Sequence, residues 1–174
     1  GVQTCALPIL IHGDEPLLAL EAADAIRAAA RRAGYAEREL LLAERSFDWS
    51  ELARAGGTRS LFGGRRIIEL RIPGGKPGNA GAAAIERHCE RLDPECLTLV
   101  SLPRLDRNGQ NSSWFRALGA AGAIVEVWPL ERARLAEWIG QRLGRSGQHA
   151  GRETLQFLAE RVEGNLLAAD RKST

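Results

Sequence analysis

Leu10-Ile11-His12-Gly13-Asp14-Glu15-Pro16 decides the fold. Leu10-Ile11-His12 reads as the end of a buried strand, and Gly13 to Pro16 turn the chain. Asp14 suits a helix N-cap, Glu15 takes the first helical position, and Pro16 is tolerated in the first turn. From Leu17 to Arg32 apolar residues return at helical spacing, at Leu17, Leu20, Ala23, Ile26 and Ala30, until Gly34 stops the helix. A buried strand feeding a tight turn and a long amphipathic helix is the opening of an α/β sheet domain.

Working outward, the same alternation continues. Leu40-Leu41-Leu42 is a short apolar strand, and Asp48 can cap a helix carrying Trp49, Leu52 and Ala53 that Gly56-Gly57 end. Arg66 to Ile72 is too apolar for a half-exposed strand and predicts one covered on both faces. Pro73 to Gly78 form a loop, Ala82 to Leu92 a helix, and Cys96 to Leu102 a strand stopped by Pro103. Asn111-Ser112-Ser113 cap a helix with Trp114, Phe115 and Leu118, and Ala123 to Val127 make a fifth strand. Strands alternating with helices predict a parallel sheet flanked by helices. Beyond Pro129 strands cease. Glu131 to Leu143 and Arg152 to Glu163 are amphipathic helices, so an α/β domain over 10–129 precedes a small helical domain over 130–169.

That layout invites a nucleotide, and the residues argue against one. A phosphate loop needs G-x-x-x-x-G-K-[ST] after the first strand, where backbone amides cradle phosphate and the lysine and hydroxyl hold oxygen and magnesium. Here Gly13 is followed by Asp14 and Glu15, whose negative charge repels phosphate. The Gly75-Lys76 pair follows an inner strand, has Leu70 where the first glycine should stand, and runs into Pro77. Leu97-Thr98-Leu99-Val100-Ser101 lacks the acid that would hold magnesium. No catalytic serine, histidine and acid order is visible, and Glu37, Glu39 and Glu44 read as solvated surface charge. No catalytic, cofactor-binding or metal-binding residue is therefore expected.

Composition narrows the rest. The 174 residues are 44% hydrophobic with a formal charge of +2, too balanced for a strong electrostatic case for nucleic acid or an anionic membrane. With the aromatics expected in the core, any DNA contact should be weak or indirect. No apolar run is long enough to span a bilayer. Cys5, Cys89 and Cys96 lack zinc-site spacing and suit a reduced, cytoplasmic protein. His12, His88 and His149 are scattered and read as surface or boundary residues. The two ends differ in character: residues 1–9 and 170–174 resemble the translation of a short-read sequencing adapter in opposite directions, so an insert of about 10–169 is expected, and the flanks are not expected to pack.

Several stretches in order and at matching spacing resemble the delta subunit family of bacterial DNA polymerase III. They are His12 to Leu18, Asp48-Trp49, Ser60 to Leu70, Ile72 to Gly78, Trp114 to Leu118, and Glu163 to Ala168. The resemblance implies an AAA+-like (RecA-like) first domain that has lost its phosphate loop, a helical second domain, truncated here, and a collar domain absent from this chain. It also implies a non-catalytic clamp-loader subunit of the replicase, partnered by the beta sliding clamp and by other loader subunits through the collar. An ATPase of similar architecture is the alternative. The family inserts an adjacent Leu and Phe into a hydrophobic pocket of the clamp, and Leu61-Phe62, with Ser60 beside them, match that element. Pattern alone leans towards burying this pair against the sheet edge. Its place between Gly56-Gly57 and Gly63-Gly64 in a turn-rich segment, together with the resemblance, points instead to an exposed anchor.

Overall fold

A computed structural model describes residues 7–57, 64–162 and 166. Among them the elements run β1 (Ile9–Gly13), α1 (Pro16–Arg32), β2 (Tyr35–Leu42), α2 (Ser50–Gly57), β3 (Arg65–Arg71), α3 (Gly78–Glu90), β4 (Cys96–Pro103), α4 (Arg107–Gln110), α5 (Ser113–Ala121), β5 (Ala123–Val127), α6 (Arg132–Arg145) and α7 (Arg152–Val162). They divide into two units. One holds 7–14 and Ala19–Val127; the other holds Glu15–Leu18 and residues from Trp128 onward.

In the first unit five strands form one sheet in the order β2-β3-β4-β1-β5. Every neighbouring pair is parallel. The predicted alternation therefore appears as a parallel sheet with helices on both faces. Right-handed crossovers explain the distribution. The connection from β1 to β2 runs one way across the sheet and carries α1 over one face. The later connections run the other way and place α2, α3 and α5 on the opposite face. Side-chain alternation along β3 serves both layers. Ile68 and Leu70 enter a core with Leu10, Leu41, Val100, Leu52, Ile85, Phe115 and Leu118. Glu69 points the other way, towards α1.

Glu69 is 1% exposed, which for a carboxylate demands an account. Arg27 of α1 donates to its Oε1 at 3.0 Å, Arg71 reaches the same oxygen at 2.6 Å, and Arg38 of β2 reaches Oε2 at 2.7 Å. Arg27 also pairs with Asp24 at 2.5 Å. Burial pushes the Glu69 carboxyl up, but the hydrogen bond from Arg71 and the charges of Arg27, Arg71 and Arg38 outweigh it and hold the group below its ordinary range. The cluster ties α1 to two strands, and its polar atoms explain how an acid sits in the most buried stretch of the sheet.

Three expectations need correction. The edge strand β2 begins at Tyr35, well before the leucines, because Glu37, Arg38 and Glu39 pair with β3; an edge strand open to water tolerates such residues. His12 is buried, at 2% exposure, with its ring edge-on to Phe115 at 5.3 Å, and is no boundary residue. Pro8 and Ile9 fall in the stretch read as adapter yet pack: Pro8 is buried and accepts a hydrogen bond from the Ala123 amide at 2.9 Å, while Ile9 pairs with Leu99 and Ala123. A strand asks chiefly for apolar residues at the right alternation, whatever their origin.

The second unit buries Leu17, Leu135, Ile139, Leu143, Ala159, Val162 and Leu166 between the start of α1, α6 and α7. The aromatics are not all in cores. Phe157 on α7 is 55% exposed, with the Arg161 guanidinium 5.0 Å over its ring, and Trp128 is 53% exposed. No helix among the described residues is long and apolar enough to cross a membrane.

Candidate functional site

In open parallel sheets, ligands bind beyond the carboxyl ends of the strands, where the strand order reverses, and β1 lies at that reversal here. At the end of β1 the chain closes on itself. The Asp14 amide donates to the Val127 carbonyl at 3.2 Å. A Cβ on Gly13 would lie 1.9 Å from the same carbonyl oxygen, so only glycine lets β1 and the end of β5 approach this closely. The Asp14 carboxylate accepts from Arg104, in the loop after β4, at 2.9 Å. Asp14 is therefore an ion-pair partner and not the expected helix cap. Glu15 does the capping instead, turning back so that Oε1 accepts from the Leu17 amide at 3.3 Å.

Beneath this turn His12 lies near Glu126 and Arg104. Burial lowers its pKa, with Glu126 opposing and Arg104 reinforcing the shift. Its Nδ1 has no hydrogen-bond partner among the described residues. Lys76 sits exposed in the loop after β3, which β4 separates from β1. Thr98 is buried, and its hydroxyl lies 2.8 Å from His88 Nε2 on α3. Where a nucleotide enzyme would present amides, lysine and an acid, the described residues of this chain present an acid already neutralised by an arginine.

Ser60, Leu61 and Phe62 lie outside the described residues. Their flank is described. α2 ends at Gly57, and between α2 and α3 runs a cavity of about 550 Å³ lined by Trp49, Ala53, Gly56, Gly57, Ala83 and Arg87, among others. Trp49 forms one wall because Gly81 makes room for it: a Cβ there would lie 2.5 Å from the indole. His88 and Arg91 line the same cavity. Arg87 and Arg91 are exposed, and neither side chain has an ion-pair or hydrogen-bond partner among the described residues. Sequence reading missed this groove. The i, i+4 spacing of the arginines was visible, but the fit of Trp49 onto Gly81 is tertiary.

The central-strand turn and the strand order define a class by fold, the AAA+-like parallel sheet flanked by helices. The Thermotoga maritima RuvB Holliday junction branch migration motor shares it at TM-score 0.61 with 17% identity, over 97% of this chain and 53% of that one. Within that class the chain belongs to the DNA polymerase III delta subunit family, whose family model matches residues 9–127. The Escherichia coli DNA polymerase III subunit delta is 28% identical over 159 residues, 91% of this chain and 46% of that protein. The Bacillus subtilis DNA clamp loader delta protein superposes at TM-score 0.66 and 16% identity, over 95% of this chain and 51% of that one. The chain thus spans about half the length of the curated relatives it matches.

Proposed function

We propose that this chain is the clamp-gripping part of a clamp-loader delta subunit: it binds a beta sliding clamp, helps to open it for loading onto primed DNA, and turns over no nucleotide. The observation that carries the reading is the family match across the whole first unit, joined to a central-strand turn whose acid is paired with Arg104 where phosphate would have to bind. Leu61 and Phe62 are the clamp-inserting residues in this reading, with Ser60 beside them. Other loader subunits would be engaged through a collar domain. DNA contact is weak or indirect, and the protein works in the cytoplasm as a non-catalytic subunit of the replicase.

The competing reading is an ATPase of the same architecture, favoured only by the fold likeness to motor proteins. One experiment separates them. The chain should be retained by immobilised cognate sliding clamp, and magnesium–ATP should neither alter that retention nor show heat of binding in calorimetry. Micromolar, magnesium-dependent ATP affinity without clamp retention would overturn the proposal in favour of the ATPase.

A further inference from the structure

We infer that the α2–α3 groove is a second clamp contact, which receives a clamp segment presenting an apolar side chain with carboxylates beside it. The inference rests on the clamp-binding reading above.

Position gives the first support. Gly57 lines the groove and is also the residue from which the chain enters the segment holding Leu61 and Phe62. Four residues of fully extended chain span at most about 14 Å. A partner that takes Leu61 into a pocket is therefore held within reach of the groove.

Chemistry gives the second. The cavity is walled by an indole and floored by small side chains, a shape that takes an apolar side chain and expels water from it. At the same groove stand Arg87, in the last turn of α3, and Arg91, the residue that caps its C-terminus. The charges of α3 are sorted by side: Glu86 and Glu90 line the cleft towards α5, where with burial they push the Cys89 thiol up to about 11. Negative charge on this helix thus faces away from the groove, and among the described residues none compensates Arg87 or Arg91 there. Tryptophan and arginine together at the edge of a concave apolar surface are the residue types that anchor protein partners. Carboxylates fit the two guanidinium groups as bidentate partners. Nucleic acid fits less well, because phosphate tracking needs a stripe of cations and this groove offers two among alanines and glycines.

Three variants test it in equilibrium binding to purified cognate clamp at low salt. Arg87→Glu with Arg91→Glu should weaken binding roughly tenfold or more, with the loss shrinking as salt rises. Ala53→Trp, which fills the groove without altering charge, should weaken it by a similar factor that salt does not change. Glu86→Lys with Glu90→Lys, on the other side of the same helix, should change affinity less than threefold. Melting curves of all three should overlay wild type, since Ala53, Arg87, Glu90 and Arg91 are exposed and Glu86 is only half-buried. Equal and opposite effects of the two charge-altering pairs would mean long-range steering alone and overturn the inference. So would full clamp affinity in both groove variants, or loss in the arginine variant of binding to primed DNA while clamp binding stays intact. If the wild-type chain itself fails to bind clamp, the function reading falls. If binding depends on Leu61-Phe62 but not on the groove, only this inference falls.

Discussion

The carboxyl-end crest of the sheet and the groove between α2 and α3 handle charge in opposite ways. At the crest, Asp14 meets Arg104, Glu15 meets a backbone amide, and Arg71 at the end of β3 folds back onto Glu69. In the groove Arg87 and Arg91 meet nothing among the described residues. A side chain that has found its partner within the fold contributes to stability and has little left to offer a ligand. One left facing water beside a hollow retains its interaction for something else. By this criterion the charges at the carboxyl end of the sheet are structural here, while those beside the groove stay available to a partner, as the proposal requires.

If paired charge is structural, then removing its most buried example should cost most. Glu69→Ala would leave the buried Arg27 with the exposed Asp24 alone and remove the shared partner of Arg38 and Arg71, and should lower stability by about 3–5 kcal/mol, read as a large drop in Tm. Acid sharpens the same point. Because the folded pKa of Glu69 lies below its unfolded value, its stabilisation is complete above the ordinary carboxylate range, near 4.3, and is lost as pH falls through the folded value. Wild type should therefore lose more stability than a Glu69→Gln variant between about pH 5 and 2; parallel acid titrations would break the comparison.

A smaller effect is expected at the closed turn. Gly13→Ala forces a Cβ against the Val127 carbonyl, and the strand ends must part, at a cost of about 1–3 kcal/mol by chemical denaturation. Smaller still is Asp14→Asn. Its ion pair with Arg104 is 43% and 47% exposed on the two sides, so the stability change should stay within about 1 kcal/mol and vanish at high salt. A loss of several kcal/mol there would show the crest is held together electrostatically and not by the backbone closure at Gly13.

The sequence made the sheet legible because each strand carries a short apolar run near a glycine or proline, and because helical spacing persists between strands. The absence of a phosphate loop was equally legible, since it depends on residue type at adjacent positions. What escaped depends on partners distant in sequence. Glu69 stands inside a strand read as covered on both faces with no local sign of its partners, and only the fold brings Arg27, 42 residues away, to its side. His12 was misjudged because a lone histidine at a strand end says nothing about Phe115. Asp14 was expected to cap a helix, since no local pattern reveals Arg104. Ser60, Leu61 and Phe62 were singled out from their glycine-rich setting and the family likeness, and lie outside the described residues.

The double variant Leu61→Ala, Phe62→Ala tests the account most directly, with clamp affinity and Tm measured on the same preparation. Burying a leucine and a phenylalanine in a partner's pocket is worth roughly 1.5–3 kcal/mol each. The account therefore expects clamp binding to weaken by about two to four orders of magnitude, with Tm unchanged. Full clamp affinity in the variant, or a collapse of Tm showing that both residues belong to this domain's own core, would contradict it.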